Sequence, residues 1–206
     1  MLQLVKSLHH RFVFSRRVDV LASHFAAMIP RDSRVLDVGC GDGSLARRIG
    51  EARPDLAFEG IDILVRPDTF IPVRLYDGDR FPFPDDAFDC VMFSDVLHHT
   101  VDPHAVLSEA SRVARYSVVI KDHLADTGFA RARLSLMDWV GNRPHGVVLP
   151  YNYLDRHSWS NLFADLALVE SDRVERLDLY PLPFDWAFGR SLHFVSRLDT
   201  GQAARA

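Results

Sequence analysis

Asp37, Gly39, Gly41 and Gly43 fall at alternate positions in the run Arg34 to Ile49, RVLDVGCGDGSLARRI, and these residue types suit holding a small ligand against bare backbone. Glycines spaced this way let the chain turn tightly, take positive φ and approach a ligand with no Cβ in the way. Three chemistries use such a turn, and spacing separates them. The phosphate loop of nucleotide hydrolases needs GxxxxGK[ST], and no Gly-Lys follows here. The dinucleotide fingerprint needs GxGxxG with an acid roughly 20 positions later to hold a ribose. Here the order is GxGxG with Ser44 next, although Asp62 does stand downstream in FEGIDI. A carboxylate there can accept both hydroxyls of an adenosine ribose. Asp37, inside the strand just ahead of the glycines, would meet a pyrophosphate with like charge, so a cationic ligand suits it better.

The elements that must position these residues follow from hydrophobic spacing. Val35, Leu36 and Val38 form a short apolar run of the kind a strand buried on both faces needs. Leu45, Ala46 and Ile49 resume at helical spacing, so the turn's free N–H groups sit at a helix N-terminus. Further strands are expected at Ala57 to Ile61, Pro72 to Tyr76, Phe88 to Phe93 (the central one), Tyr116 to Ile120, Leu168 to Leu179 and Leu192 to Leu198. The fifth delivers Lys121, Asp122 and His123 to the same rim as His98 and His99, at the carboxyl end of the sheet where open α/β folds place ligands. Helices are expected at Arg17 to Ile29, stopping before Pro30, from Asp102-Pro103 through Val113, at about Phe129 to Val140, and around Trp159 to Leu166. Met1 to Phe14 reads as a separate amphipathic helix resting on the domain or, less favoured, on a membrane surface.

On these residues the chain resembles the class I S-adenosylmethionine-dependent methyltransferases. The string D-x-G-x-G-x-G after an apolar strand is similar to their first motif. Asp77-Gly78, followed by FPFPDDAFD, and Ser94 to Pro103, SDVLHHTVDP, resemble the small-molecule branch (methyltransferase type 11), which includes quinone-biosynthesis enzymes. The resemblance implies a doubly wound, Rossmann-like α/β fold whose seven-stranded sheet is mostly parallel with an antiparallel last strand and helices on both faces. It implies S-adenosyl-L-methionine as cofactor, held by Asp37, Gly39, Cys40, Gly41, Asp62, Ile63, Asp77, Gly78 and Ser94. Asp37, Gly39 and Gly41 would surround its methionine part, Asp62 its ribose, and Asp77 with Gly78 its adenine. Methyl transfer from a sulfonium mainly needs alignment and, for a hydroxyl or amine acceptor, a base. His99 matches the histidine this branch often keeps after strand four, with His98 and His123 as alternatives. The implied organisation is an N-terminal helical segment over residues 1–32, the methyltransferase domain over 33–198 and a disordered tail over 199–206.

Composition bounds the partners. With 206 residues and 48% hydrophobic content, one globular domain fits. A net charge of −4 gives no basic field for nucleic acid, so a small-molecule substrate is expected. No apolar run is long enough for an integral membrane segment, and the start lacks the pattern of a signal peptide. Cys40 and Cys90 stand in the glycine turn and in an apolar strand, where neither suits a disulfide, so a cytoplasmic compartment is expected. Asp95, His98, His99, Asp122 and His123 could gather at one edge, yet they come from two loops without a metal-ligand spacing, and no metal is expected. Trp139, Asn142, His145, Tyr151, Asn152 and Tyr153 are candidates for a substrate wall or lid. The acceptor atom and the oligomeric state are not legible. Two rival readings remain: an NAD-dependent oxidoreductase, and an inactive cofactor-binding partner subunit.

Overall fold

The computed structural model describes residues 2–142, 151–182 and 184–201. In chain order the elements are α1 (Leu2–Met28), β1 (Arg34–Val38), α2 (Ser44–Ala52), β2 (Ala57–Asp62), β3 (Val73–Leu75), β4 (Phe88–Ser94), a single 3₁₀ turn (Leu97–His99), α3 (Pro103–Val113), β5 (Ala114–His123), α4 (Gly128–Asn142), α5 (Arg156–Asp165), β6 (Val169–Val174), α6 (Phe184–Phe188) and β7 (His193–Asp199). The strands form one sheet in the order β3-β2-β1-β4-β5-β7-β6. The first five run parallel; β7 is antiparallel to both β5 and β6. The expected doubly wound sheet with a reversed last strand is therefore present. The chain moves outward from β1 through β2 to β3, then returns to β4 on the other side of β1. That reversal leaves a crevice beyond the carboxyl ends of β1 and β4.

Alternation along the central strands divides the core. Leu36, Val91, Phe93, Ile120 and Phe194 point to one face, where Leu107 of α3 and Trp159 and Phe163 of α5 cover them. Val35, Cys90, Met92, Val119 and Val195 point to the other, under Phe25 of α1 and Ile49 of α2. Asp37 shares the parity of Val35, so its carboxylate faces the α1 side of the sheet. The helix starts are set locally. Asp102 accepts from Ala105 N at 3.0 Å ahead of Pro103, and Asp155 accepts from Ser158 N at 2.8 Å.

Several expectations need correction. Residues 2–28 form one continuous helix rather than two, because no glycine or proline interrupts the chain before Pro30. Its second half buries Leu21, Ala22, Phe25 and Met28 in the same core as β1 and α2. Strand β5 runs three residues further than expected, so Lys121, Asp122 and His123 lie inside the ladder opposite Val195, Phe194 and His193. They are buried within the sheet and not displayed on an open rim. Strand β6 stops at Val174, opposite Val195; beyond it Leu177 and Leu179 leave the sheet to pack in the α1-side core. Strand β3 is shorter, at Val73–Leu75. Asp199 belongs to β7, and the Thr200 hydroxyl donates to Arg115 O at 2.8 Å, so the chain is held past the expected start of the tail. His145 and residues 202–206 lie outside the described residues. Among the described residues no helix is long and apolar enough to cross a membrane.

Trp159 ties α5 to the sheet. Its ring is fully buried against Phe163 and Phe194, and its Nε1–H donates to His123 O at 3.0 Å. Trp159→Ala should cost about 3–5 kcal/mol of folding stability. Trp159→Phe, which removes the donor to His123 O but keeps an aromatic ring, should cost about 1–3 kcal/mol. Urea denaturation of the two variants checks the order; equal losses would contradict this packing.

Candidate functional site

A cavity of about 280 Å³ opens at the carboxyl ends of β1 and β4. Asp37, Gly39, Cys40 and Ser44 form its floor, Ser94 and Asp95 one side, and Arg17, Val18 and Leu21 of α1 its roof. Gly39 N–H donates to Ile61 O at 2.8 Å, so the turn is hung from β2. Two of the three glycines are required by space and backbone. At Gly39 (φ +67°) a Cβ would stand 2.7 Å from Val96 Cγ2, and at Gly43 (φ +76°) it would stand 2.5 Å from Ile71 Cγ1. Over Gly41 (φ +59°) a Cβ would meet nothing within 4 Å, so the backbone there lies open to a ligand.

Asp62, at the end of β2, is locked to this turn. Its Oδ2 accepts from Gly41 N at 2.8 Å and its Oδ1 from Leu64 N at 2.9 Å. On the next strand end Asp77 Oδ1 accepts from Asp79 N at 2.9 Å and Arg80 N at 3.2 Å, and these N–H groups hold its carboxyl below the usual range. Gly78 (φ +91°) lies against Ile63, whose side chain is 67% exposed. Asp37, Gly39, Cys40 and Ser94 thus line the cavity, Asp62 braces Gly41, and Ile63, Asp77 and Gly78 continue along the neighbouring strand ends.

Asp37 is only 3% exposed, and no donor or cation among the described residues pairs with it. Burial pushes its carboxyl up to about 8, and the charge of Asp62 adds to the shift. Burial, with Asp37 nearby, also raises the Cys40 thiol, which leaves it uncharged and a poor nucleophile. Asp95 is the opposite case. Burial opposes its ionisation, but Lys121 and Arg17 outweigh it and hold the carboxyl well below its ordinary value. Arg17 Nη2 donates to Asp95 Oδ2 at 2.5 Å, and Lys121 Nζ donates to Asp95 Oδ1.

Behind Asp95 lies a polar cluster. Asp122, fully buried, accepts from Leu97 N at 3.1 Å and His123 N at 2.8 Å, and its Oδ1 is 2.7 Å from His98 Nδ1. Burial works against that carboxylate, yet His98 and His123 hold it ionised, which puts a proton on His98 Nδ1. The His98 ring is buried; burial opposes its protonation, but Asp122 raises it overall. His123 is pushed down to about 4, by burial first and then by Lys121. His99, packed against His98 at 3.9 Å between ring centres with the ring planes tilted by 45°, is half-buried and lowered by burial and by His98. Asn152 pins this turn from outside, its Nδ2 donating to Thr100 O at 2.7 Å. Tyr153 is buried beside His98, and its hydroxyl donates to Asp138 Oδ2.

Arg17, Asp138 and His193 were not among the residues singled out from the sequence. Arg17 had a visible signal: it shares one helical stripe with Leu21, Phe25 and Met28, and a cation on an apolar stripe calls for a buried partner. Asp138 and His193 had none, since their contacts depend on how α4 and β7 close over β5.

Comparison with known proteins agrees with this architecture. The model of a family described as "Methyltransferase domain" matches residues 8–168. The 27-O-demethylrifamycin SV methyltransferase of Amycolatopsis mediterranei is 33% identical over 46% of this chain and 40% of its own length. The ubiquinone/menaquinone biosynthesis C-methyltransferase of Cupriavidus taiwanensis is 28% identical over 59% of this chain and 58% of its own. This chain therefore spans well under two thirds of either relative. Among solved structures, geranyl diphosphate C-methyltransferase from Streptomyces coelicolor superposes with a TM-score of 0.65 at 17% identity, over 87% of this chain and 78% of that one, which shows the shared fold. The sheet order, the reversed β7 and the glycine turn define an open α/β protein of the class I methyltransferase kind. With the match over most of its length, the chain belongs to the methyltransferase-domain family.

Asp37 generates a pH prediction. A folded carboxyl at about 8 binds its proton more tightly than the unfolded chain does, at about 4. Stability from this group is therefore full below pH 4 and lost as pH rises towards 8. Asp37→Asn should gain stability over the parent progressively across that window, with its largest margin above pH 8. Thermal melts of both proteins at pH 5 and pH 9 measure it; a margin independent of pH would contradict the assignment.

Proposed function

We propose that this chain transfers a methyl group from S-adenosyl-L-methionine to a small-molecule acceptor. The observation that carries the reading is Asp37: a buried carboxylate without a cation, facing a cavity whose glycine floor is open. The cofactor supplies a methyl group already activated by a positively charged sulfur. Asp37, Gly39, Cys40, Gly41 and Ser94 would hold its methionine half, where the charges of the sulfonium and ammonium offset that of Asp37. Asp62 would take the ribose hydroxyls, already oriented by Gly41 and Leu64 N–H. Asp77 and Gly78 would meet the adenine, and the exposed side chain of Ile63 offers it an apolar face. A dinucleotide suits the same floor poorly, because its diphosphate would add negative charge next to Asp37 and Asp62.

On the acceptor side we assign proton removal to His99, the least buried of the three histidines, with His98 and His123 positioning it. The Asp122 bond fixes the His98 ring, and His98 in turn packs against the His99 ring. The acceptor is a small, partly aromatic or apolar molecule, in keeping with exposed Phe129, Trp139, Phe184 and Trp186 on α4 and α6. The names of the relatives, a rifamycin methyltransferase and a quinone-biosynthesis C-methyltransferase, point to the same class. The two free cysteines fit a reducing, cytoplasmic compartment.

Calorimetry with S-adenosylhomocysteine tests the donor half. Asp62→Ala should lose about 1.5–3 kcal/mol of binding, roughly tenfold to a hundredfold in affinity, since it removes a charged hydrogen-bond acceptor. Stabilisation of the parent chain by NAD but not by S-adenosylhomocysteine would overturn the reading, and so would unchanged affinity in the variant.

A further inference from the structure

Two buried ring nitrogens in the polar cluster have no hydrogen-bond partner among the described residues: His98 Nε2 and His99 Nδ1. Buried polar atoms are rarely left so, and each exception calls for a cause. The first of them faces a carboxylate, with Asp138 Oδ2 standing 3.5 Å from His98 Nε2. One nitrogen from each histidine and one oxygen of Asp138 all lie within 4.8 Å of one another. We infer that His98, His99 and Asp138 form a binding site for one divalent transition-metal ion, of the Zn²⁺ or Fe²⁺ type, held by two imidazoles and a carboxylate.

Three further features fit such a site. First, His98 Nδ1 is engaged with Asp122 at 2.7 Å, so Nε2, which faces Asp138, is the nitrogen available to an ion that displaces its proton. A carboxylate fixing the far nitrogen of a ligand histidine is the usual support for a metal-bound imidazole. Second, Asp138 is itself oriented by the Tyr153 hydroxyl. Third, two neutral imidazoles and one carboxylate suit borderline ions, and three protein ligands leave a coordination position free. Metal–ligand bonds of about 2.0–2.2 Å put donor atoms roughly 3.3 Å apart, so side-chain rotations need close the present set by about 1.5 Å at most. A second grouping, Asp95 with His98 and His123, meets the same spacing. It is the poorer site, because Asp95 is already paired with Arg17 and Lys121, whose charges would repel a further cation.

The use of this ion in methyl transfer rests on the function proposed above. Bound through the open position, an acceptor hydroxyl or enol would have its pKa lowered and release its proton to solvent, so that His99 would serve as ligand and the base assigned above would not be needed. The presence of the site is tested without reference to turnover. The full chain, stripped with chelator, is titrated with Co²⁺ by calorimetry and visible absorption. One equivalent should bind with an absorption typical of nitrogen and oxygen ligands. His99→Ala and Asp138→Asn should each weaken binding roughly tenfold or more. His104→Ala, an exposed histidine on α3, should leave it unchanged. Melts of every variant in chelator confirm folding, and His99→Gln replaces His99→Ala if the latter melts early. No saturable binding at one equivalent, or binding indifferent to both site variants, would overturn the inference. A chain that binds S-adenosylhomocysteine but no Co²⁺ removes this site alone. A chain that binds Co²⁺ but neither S-adenosylhomocysteine nor S-adenosylmethionine removes the methyltransferase reading alone.

Discussion

Two carboxylates at the carboxyl ends of adjacent central strands, Asp37 buried and Asp95 partly buried, set the character of this protein, and they are treated in opposite ways. Asp95, just beyond β4, is neutralised by Arg17 from α1 and Lys121 from β5. Asp37, in β1, is given no cation among the described residues and has the charge of Asp62 nearby. Burying a carboxylate without a partner is costly enough that the group holds its proton instead. A fold that keeps such a group at the base of a cavity is less stable than it could be and is set up for a positively charged ligand.

The Arg17–Asp95 pair also explains how α1 joins the site. The helix carries a stripe of Leu21, Phe25 and Met28 into the core, and the same face brings Arg17 over the cavity to Asp95. Lys121 joins Asp95 to the interior of β5, next to Asp122 and His123, so the cavity and the histidine cluster share a wall. A change in either half is felt through one carboxylate. For the proposed reaction, that places donor and acceptor on either side of Asp95.

Much of the glycine turn and the cavity beside it could be read from the chain alone, because their constraints are local. Gly39 and Gly43 must be glycine for reasons of φ and of contacts with Val96 and Ile71, and such needs leave a direct mark in the sequence. The apolar runs of β1 and β4, the Asp102-Pro103 helix start and the acid at the end of β2 are of the same kind. The histidine cluster was less legible, because its constraints are long-range. Lys121, Asp122 and His123 look like a polar rim after an apolar strand; only the pairing of β7 with β5 converts them into buried ladder positions. Polar residues that end a hydrophobic run ordinarily end the strand, and here the cluster's own hydrogen bonds and ion pairs offset their burial. Asp138 reaches the histidines only because α4 folds back over them, a fact with no trace in local spacing. Strand β6 is shorter than its apolar run suggests for a related reason: Leu177 and Leu179 are apolar for packing near α1 and not for strand pairing.

The central claim is that Asp37 releases its proton to solvent when a cationic ligand binds beside it. Calorimetric titration of the chain with S-adenosylmethionine at pH 7, repeated in buffers of different ionisation enthalpy, counts the protons released on binding. A carboxyl that sits at about 8 before binding and is ionised afterwards should release close to one proton, and Asp37→Asn should release none. Tight binding of the parent chain with no proton released would contradict the account.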